Sequence, residues 1–222
     1  MYLVLFDVDG TLVDSQNIIF EGMRRAFEGE GRPIPTRQAV LAIIGMSLPV
    51  ALAELSGGDP DDALTSALVG RYKAAFHDLR LMATHYEALF PGARETLLAL
   101  KRRPDVILGI ATGKSRRGVT AVIDTYGFDG LFATIQTADT HPSKPHPSMI
   151  VTALAEVGVT PDKAVMVGDS SFDMEMARAA GVHALAVGWG YQSVAALEAS
   201  GAHAVVDAFD EVEPALARLL NW

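Results

Sequence analysis

Asp7, Asp9, Asp169 and Asp173 stand in two short polar clusters, each placed directly after an apolar run. Asp7-Val8-Asp9-Gly10-Thr11 follows residues 2–6, and Gly168-Asp169-Ser170-Ser171-Phe172-Asp173 follows residues 164–167. Thr112-Gly113-Lys114-Ser115 follows residues 106–111 in the same way, and Lys144 lies in a loop between Ser143 and Pro145. Carboxylates brought close together repel, and in a low dielectric some stay protonated unless a cation sits among them. The chain has no cysteine, and its six histidines include no i,i+4 pair. Ligands in such a site are therefore hard oxygens, which favours Mg2+ over zinc. An ion there offsets the carboxylate charge and draws in an anion. Lys144 and the backbone N–H groups after Thr112, expected at a helix start, would hold the remaining oxygens of a tetrahedral anion. Phosphate is the obvious one.

These clusters meet only if the elements before them lie side by side. Residues 106–111 and 164–167 are rich in β-branched residues, residues 2–6 have the same shape, and weaker versions appear at 131–135, 183–187 and 204–206. Continuous apolar runs, as opposed to alternation, indicate strands buried on both faces of a parallel sheet. Helical stripes run between them through residues 93–100, 119–126, 149–157 and 174–180. Alternating strand and helix predicts an α/β fold, a doubly wound parallel-sheet (Rossmann-like) core. In such a sheet, ligands sit beyond the carboxyl ends of the strands, where the clusters fall.

One stretch breaks the alternation. From residue 15 to about residue 87 there is helical periodicity and no convincing strand: Ile18, Ile19, Met23 and Phe27 form one stripe, Ala39, Val40, Ile43 and Ile44 another, and residues 63–79 a third. Breaks rich in Gly or Pro at 31–35, 45–49 and 57–60 separate them. The expected division is a core of residues 1–14 and 88–222 with an all-helical domain of residues 15–87 inserted after the first strand.

Composition narrows the function classes. The 222 residues carry a formal net charge of −9 and no Lys/Arg-rich run, so polyanionic partners such as nucleic acid or anionic membrane are not expected. No window of about 18 apolar residues exists to span a bilayer. The run at residues 2–6 lacks a basic leader and ends at Asp7, so a targeting signal is not expected and a cytoplasmic protein is.

The pattern Asp7-Val-Asp9-Gly10-Thr11-Leu-Val-Asp14-Ser15, Thr112-Gly113, Lys144-Pro145 and Gly168-Asp169-Ser-Ser-Phe-Asp173 resembles the haloacid dehalogenase-like phosphohydrolases over nearly the whole chain. The helical insertion looks like that family's small helical cap. The resemblance implies that Asp7 is the nucleophile that becomes an aspartyl phosphate, that Asp9 is the general acid and base, and that Lys144 stabilises the nucleophile and the transferring group. It implies that Thr112 and Gly113 bind phosphate. It also implies that Mg2+ is held by Asp7, the backbone carbonyl of Asp9 and Asp169, with Asp173 supporting or joining them. The implied partner is a small phosphorylated metabolite, with no nucleic acid and no membrane, and the implied assembly is a monomer or weak homodimer. The division of roles is physically coherent. A carboxylate touching a cation stays ionised and can attack phosphorus, while one two residues on is free to carry a proton.

Single features also admit plain readings. Asp9-Gly10 is an ordinary turn signal, Asp169 to Ser171 could cap the following helix, and Thr112 could be an N-cap. Thr112-Gly113-Lys114-Ser115 invites a P-loop reading, but the slot that needs glycine holds Leu108, and Lys114 is then expected to be an exposed loop or rim residue. His146, beside Lys144, and Trp189-Gly190-Tyr191, after a strand end, could reach the site. Met166, Met174 and Met176 read as core filling or helix surface.

The loop Gly45-Met46-Ser47-Leu48, in a break between helices, is the candidate substrate-binding segment, with Gly45 and Met46 at its tip. Family phosphomutases typically carry Gly-x-Ser-Arg here and phosphonatases use a cap lysine. In this chain Leu48 stands in the arginine's place, and the only lysine of residues 15–87 is Lys73, within a helix. Both departures favour hydrolysis of a phosphomonoester, with phosphoglycolate phosphatase-like members the most similar. A sugar-phosphate phosphomutase (beta-phosphoglucomutase-like) and a non-catalytic phosphometabolite-binding protein are the alternatives. Hinges are expected at Ser15 and Gln16 and at about residues 86–91.

Overall fold

The computed structural model describes residues 1–82 and 87–222. The chain begins with strand β1 (Tyr2–Phe6) and the two-residue strand β2 (Val13–Asp14). The helices α1 (Gln16–Gly29), α2 (Arg37–Ala42), α3 (Leu48–Ser56) and α4 (Ala63–Met82) follow. After the short strand β3 (Ala88–Leu89), strand and helix alternate: α5 (Ala93–Lys101), β4 (Val106–Thr112), α6 (Arg116–Tyr126), β5 (Thr134–Thr137), α7 (Ser148–Val157), β6 (Ala164–Gly168), α8 (Ser171–Ala180), β7 (His183–Val187), α9 (Val194–Ala199), β8 (Ala204–Val206) and α10 (Val212–Leu220).

Six strands form one parallel sheet in the order β5-β4-β1-β6-β7-β8. Leu5 of β1 lies level with Gly109 of β4 on one side and Met166 of β6 on the other. Side chains alternate across a strand, so Val4 and Phe6 enter one core while Leu3 and Leu5 enter the other. β6 divides likewise, Val165 and Val167 to the first core and Ala164 and Met166 to the second. This two-sided burial is why these runs are apolar throughout. Met166, Met174 and Met176 are all buried in the second core. The chain winds away from β1 in both directions, so the ends of β1, β4 and β6 frame the crevice of a doubly wound sheet.

Residues 16–82 pack as a helical module about their own core, which includes Ile18, Met23, Phe27, Val40, Leu52 and Leu68. Its three apolar stripes fall in α1, α2 and α4. The structure adds α3, in which Leu48, Val50, Ala51, Leu52, Ala53 and Leu55 put apolar groups on nearly every side, so that no polar face marks a period. Two-residue strands flank the module: Val13 pairs with Leu89 and Asp14 with Ala88, antiparallel. A pair this short leaves no run to read in the sequence. The expected strand at 131–135 is displaced to Thr134–Thr137, because Leu131 and Phe132 turn inward onto the first core while β5 pairs with residues 109–112 of β4. Helices α9 and α10 also lay outside the expected pattern. Tyr86 and His85 lie outside the described residues.

Candidate active site

Asp7 is carried beyond the end of β1 by one more ladder bond, its N–H donating to Val167 O at 3.0 Å. The chain then turns tightly on Val8, whose carbonyl accepts from the N–H groups of Leu12 and Val13 at 2.9 Å each. Gly10 sits in this turn at φ 87°, and a Cβ there would collide with the carboxylate of Asp169. The glycine therefore serves both the turn and the close approach of β1 and β6.

At the end of β6, Ser170 is the N-cap of α8. Its Oγ accepts from Asp173 N at 3.3 Å, and Asp173 Oδ2 accepts from Ser170 N at 3.2 Å and from Ser170 Oγ at 2.6 Å. The capping reading and the chemical one thus coexist. With one oxygen held by the box, Asp173 turns the other to Lys144 Nζ at 2.6 Å. The same ammonium lies 3.1 Å from Asp7 Oδ1. Asp169 is fixed by Thr11 Oγ1, which donates to Oδ1 at 3.0 Å, and by Tyr191 N, which donates to Oδ2 at 3.0 Å.

One carboxylate oxygen from each of Asp7, Asp169 and Asp173 lies within 4.8 Å of the other two, and all three residues are buried. Burial is the main force on Asp7, pushing its carboxyl up to about 6; Lys144 pulls the other way, and Asp173 adds to the rise. Burial, then the charges of Asp7 and Asp173, hold Asp169 well above the usual carboxylate range. Burial opposes the charge on Lys144, but Asp173 and Asp7 outweigh it and hold the ammonium protonated above its ordinary value. Asp7 Oδ1 is buried and, despite the nearby ammonium, accepts no aligned hydrogen bond. Three carboxylates against one ammonium, with an orphaned oxygen among them, fit a hard divalent cation.

Asp9 stands outside that cluster. Its Oδ1 accepts from Ser15 Oγ at 2.6 Å and from Lys114 Nζ at 2.7 Å. Lys114 is not the exposed rim residue that the sequence led us to expect: it is buried, its stem lying over the bare backbone of Gly118 and its ammonium shared with Glu87 Oε1 at 3.0 Å. Burial works against that charge, but Asp9 and Glu87 together hold the ammonium above its ordinary pKa. Thr112 is buried at the end of β4, where its hydroxyl accepts from Lys114 N at 3.2 Å. It is not the N-cap: Ser115 is, accepting from Gly118 N at 3.2 Å, so α6 starts farther from the site than expected.

Asp7, Asp9, Thr112, Gly113 and Lys114 border a cavity of about 620 Å3 whose opposite wall is the helical module, with Gly45, Met46, Leu48, Tyr72 and Phe76 among its residues. A Cβ at Gly113 would strike the carbonyl oxygens of Gly45 and Met46, so the module's loop rests directly on this turn. Ser47 N also donates to Ser143 Oγ, next to Lys144, at 2.9 Å. Lys73 and Arg117 bring positive charge to the cavity wall of an acidic protein, with Arg117 donating to His77 Nδ1 at 3.0 Å. His146 is exposed and does not border the cavity. Trp189 packs between Phe90 and Phe209 and donates Nε1–H to Thr11 O at 3.0 Å, which makes it a support for the β1 turn.

Tyr191 contributes more than a turn aromatic. Besides holding Asp169, its hydroxyl accepts from Ser15 N at 2.8 Å, tying the site to the start of the helical module.

Residues 4–187 match the family model described as haloacid dehalogenase-like hydrolase. The chain belongs to this family. The hydrolase is 34% identical over 221 residues to the probable phosphatase IndB of Dickeya dadantii, covering 99% of this chain and 95% of that protein. It is 31% identical over 217 residues to a phosphoglycolate phosphatase of Pseudomonas putida, covering 97% of this chain and 79% of that one. A hydrolase from Pseudomonas syringae of known structure superposes with a TM-score of 0.84 at 27% identity, covering 96% of this chain and 97% of that one. The hydrolase has, among its described residues, no helix long and apolar enough to cross a membrane.

Proposed function

We propose that this hydrolase is a Mg2+-dependent phosphatase that cleaves a small phosphomonoester through an aspartyl phosphate on Asp7. The observation that carries the reading is the buried ammonium of Lys144, 3.1 Å from Asp7 and 2.6 Å from Asp173, in a cluster with Asp169 behind Asp7, which borders the cavity. Asp7, Asp169 and the backbone carbonyl of Asp9 would hold Mg2+. Asp173, whose two oxygens are engaged by Lys144 and Ser170, supports them. When bound, the ion neutralises charge on the phosphoryl oxygens, where most of the catalysis of phosphoryl transfer resides.

In the first step a carboxylate oxygen of Asp7 attacks phosphorus and the ester P–O bond breaks, the leaving oxygen taking a proton from Asp9. In the second, Asp9 takes a proton from water as that water attacks the phosphorus of the acyl phosphate, and Asp7 is released with inorganic phosphate. Lys144 keeps Asp7 ionised and faces the equatorial oxygens, and Thr112 and Gly113 bind the phosphate. Residues 15–87 act as the cap, with Gly45 and Met46 meeting the substrate and with hinges beside β2 and β3. Closure excludes bulk water while Asp7 attacks.

A phosphoglycolate-like substrate, whose leaving group carries a second negative charge, suits the basic residues Lys73 and Arg117 on the wall. The test is a phosphate-release assay over phosphoglycolate, sugar phosphates, nucleotides and pyrophosphate, with and without Mg2+, on wild type and Asp7→Asn. Turnover that needs Mg2+ and disappears in Asp7→Asn is expected. Mg2+-dependent turnover retained by Asp7→Asn overturns the nucleophile assignment.

A further inference from the structure

Lys114 brings together segments from three parts of the chain. Its Nζ lies 2.7 Å from Asp9 Oδ1, in the turn after β1, and 3.0 Å from Glu87 Oε1, in the segment that leads from the helical module back to β3. It also lies 5.4 Å from the centre of the Phe76 ring of α4, within reach of a cation–π contact. Glu87 is held in turn from α4, its Oε2 lying 2.9 Å from Arg80 Nε. The chain of charges Asp9, Lys114, Glu87 and Arg80 is neutral as a whole, which is what allows an ammonium only 6% exposed to persist at a cavity wall.

An ammonium has three donors. Two of those on Lys114 are spent on carboxylates and the remaining side faces an aromatic ring, so none is left for a substrate phosphate. The effect of the contact falls on Asp9. Both Lys114 and Ser15 Oγ bind the same oxygen, Oδ1, at 2.7 and 2.6 Å. Two donors on one oxygen stop the carboxylate from rotating, and no hydrogen bond from the described residues engages Oδ2.

We infer that Lys114 is a positioning residue for Asp9. It holds that carboxylate with Oδ2 presented to the cavity and ties this orientation, through Glu87 and Phe76, to the seating of the helical module on the core. The inference rests on Asp9 being the proton carrier of the proposed reaction. It goes further in giving Lys114 a task distinct from that of Lys144: Lys144 faces the nucleophile, whereas Lys114 aims the proton carrier and registers where the module sits.

The test uses the full chain with Mg2+ and phosphoglycolate or p-nitrophenyl phosphate, measuring kcat and KM separately for Lys114→Met, Lys114→Arg, Ser15→Ala, Glu87→Gln, Asp9→Asn and the double variant Asp9→Asn/Lys114→Met. A misaimed proton carrier lowers kcat about tenfold to a hundredfold with little change in KM. We expect this of Lys114→Met, with partial recovery in Lys114→Arg and a smaller loss of kcat in Glu87→Gln. The double variant is expected to be no slower than Asp9→Asn alone, because a residue that acts only through Asp9 has nothing left to position.

If Lys114→Met does not fold, as judged by circular dichroism, Ser15→Ala and Glu87→Gln carry the test, since Ser15 binds the same oxygen of Asp9 and Glu87 holds Lys114, and both must lower kcat. A raised KM at constant kcat, additive losses in the double variant, or an unchanged kcat would each overturn the inference. Loss of turnover in Asp7→Asn and Asp9→Asn alongside unchanged kcat in Lys114→Met and Glu87→Gln defeats this inference and leaves the phosphatase reading standing. Turnover surviving in Asp7→Asn defeats the phosphatase reading itself.

Discussion

Lys144 Nζ meets Asp173 Oδ1 at 2.6 Å with both side chains fully shielded from solvent. The capping box of α8 fixes Asp173, Asp173 fixes Lys144, and Lys144 faces Asp7. A helix-start motif of ordinary type is thereby connected to the proposed nucleophile.

Removing one partner of a buried pair leaves the other charge uncompensated, at a cost of about 3–5 kcal/mol. Asp173→Ala is expected to lower stability by up to that amount in urea unfolding, because it leaves Lys144 only the longer contact with Asp7 and removes the N3 side chain of the capping box. Lys144→Met, which leaves three carboxylates with no cation, is expected to abolish turnover and to make folding depend strongly on Mg2+. Unfolding midpoints insensitive to either change would show that the pair is not held as described.

The pH dependence follows from Asp7, whose carboxyl is raised to about 6, chiefly by burial. Its folded pKa lies above the unfolded value of about 4, so the folded state binds more protons between the two. Stability of the metal-free protein should therefore fall as pH rises from about 4 through about 6, and the raised carboxyl of Asp169 adds to the fall in the same direction. Mg2+ competes with the proton for the same oxygens, so the rise in melting temperature on adding Mg2+ should be full at pH 7 and shrink as pH falls through about 6. Asp7→Asn should make the metal-free profile shallower over this window, with the contribution of Asp169 remaining. Differential scanning fluorimetry across pH, with Mg2+ or with a chelator, checks both signs.

Gly113 has no room for a side chain against the carbonyls of Gly45 and Met46. Gly113→Ala is expected to push the helical module off the phosphate-side loop, reducing kcat/KM by about a hundredfold, since displacements near 1 Å at a reacting centre cost this much. Global stability should change far less, because the two cores on either side of the sheet are untouched. Steady-state kinetics beside a thermal melt separate the two effects.

Much of the site was legible before any fold was known. The runs ending at Phe6, Ala111 and Val167 are apolar on both sides because the sheet is covered on both faces. A polar residue following such a run in a parallel sheet has the crevice as its natural place. That reasoning placed Asp7, Asp169 and Thr112 together without coordinates. It did not assign α3, nor the pairing of Val13 with Leu89, because α3 is apolar on nearly every side and shows no polar face, and two residues hold too little alternation to leave a period. It misplaced Lys114, since a lysine after Thr-Gly in a loop is ordinarily solvated, and nothing local marks Glu87 as its partner.

By itself, then, the sequence determined the family, the parallel sheet, the inserted helices and the polar clusters proposed as the site, because each is written in contiguous patterns of polarity and spacing. Only the tertiary structure decided which of those groups touch. The pairing of Ser15 with Tyr191 joins residues 176 apart, and that of Lys114 with Glu87 joins residues 27 apart. Contacts of this kind depend on how helices and sheet pack to within a fraction of an ångström, and no local propensity encodes them.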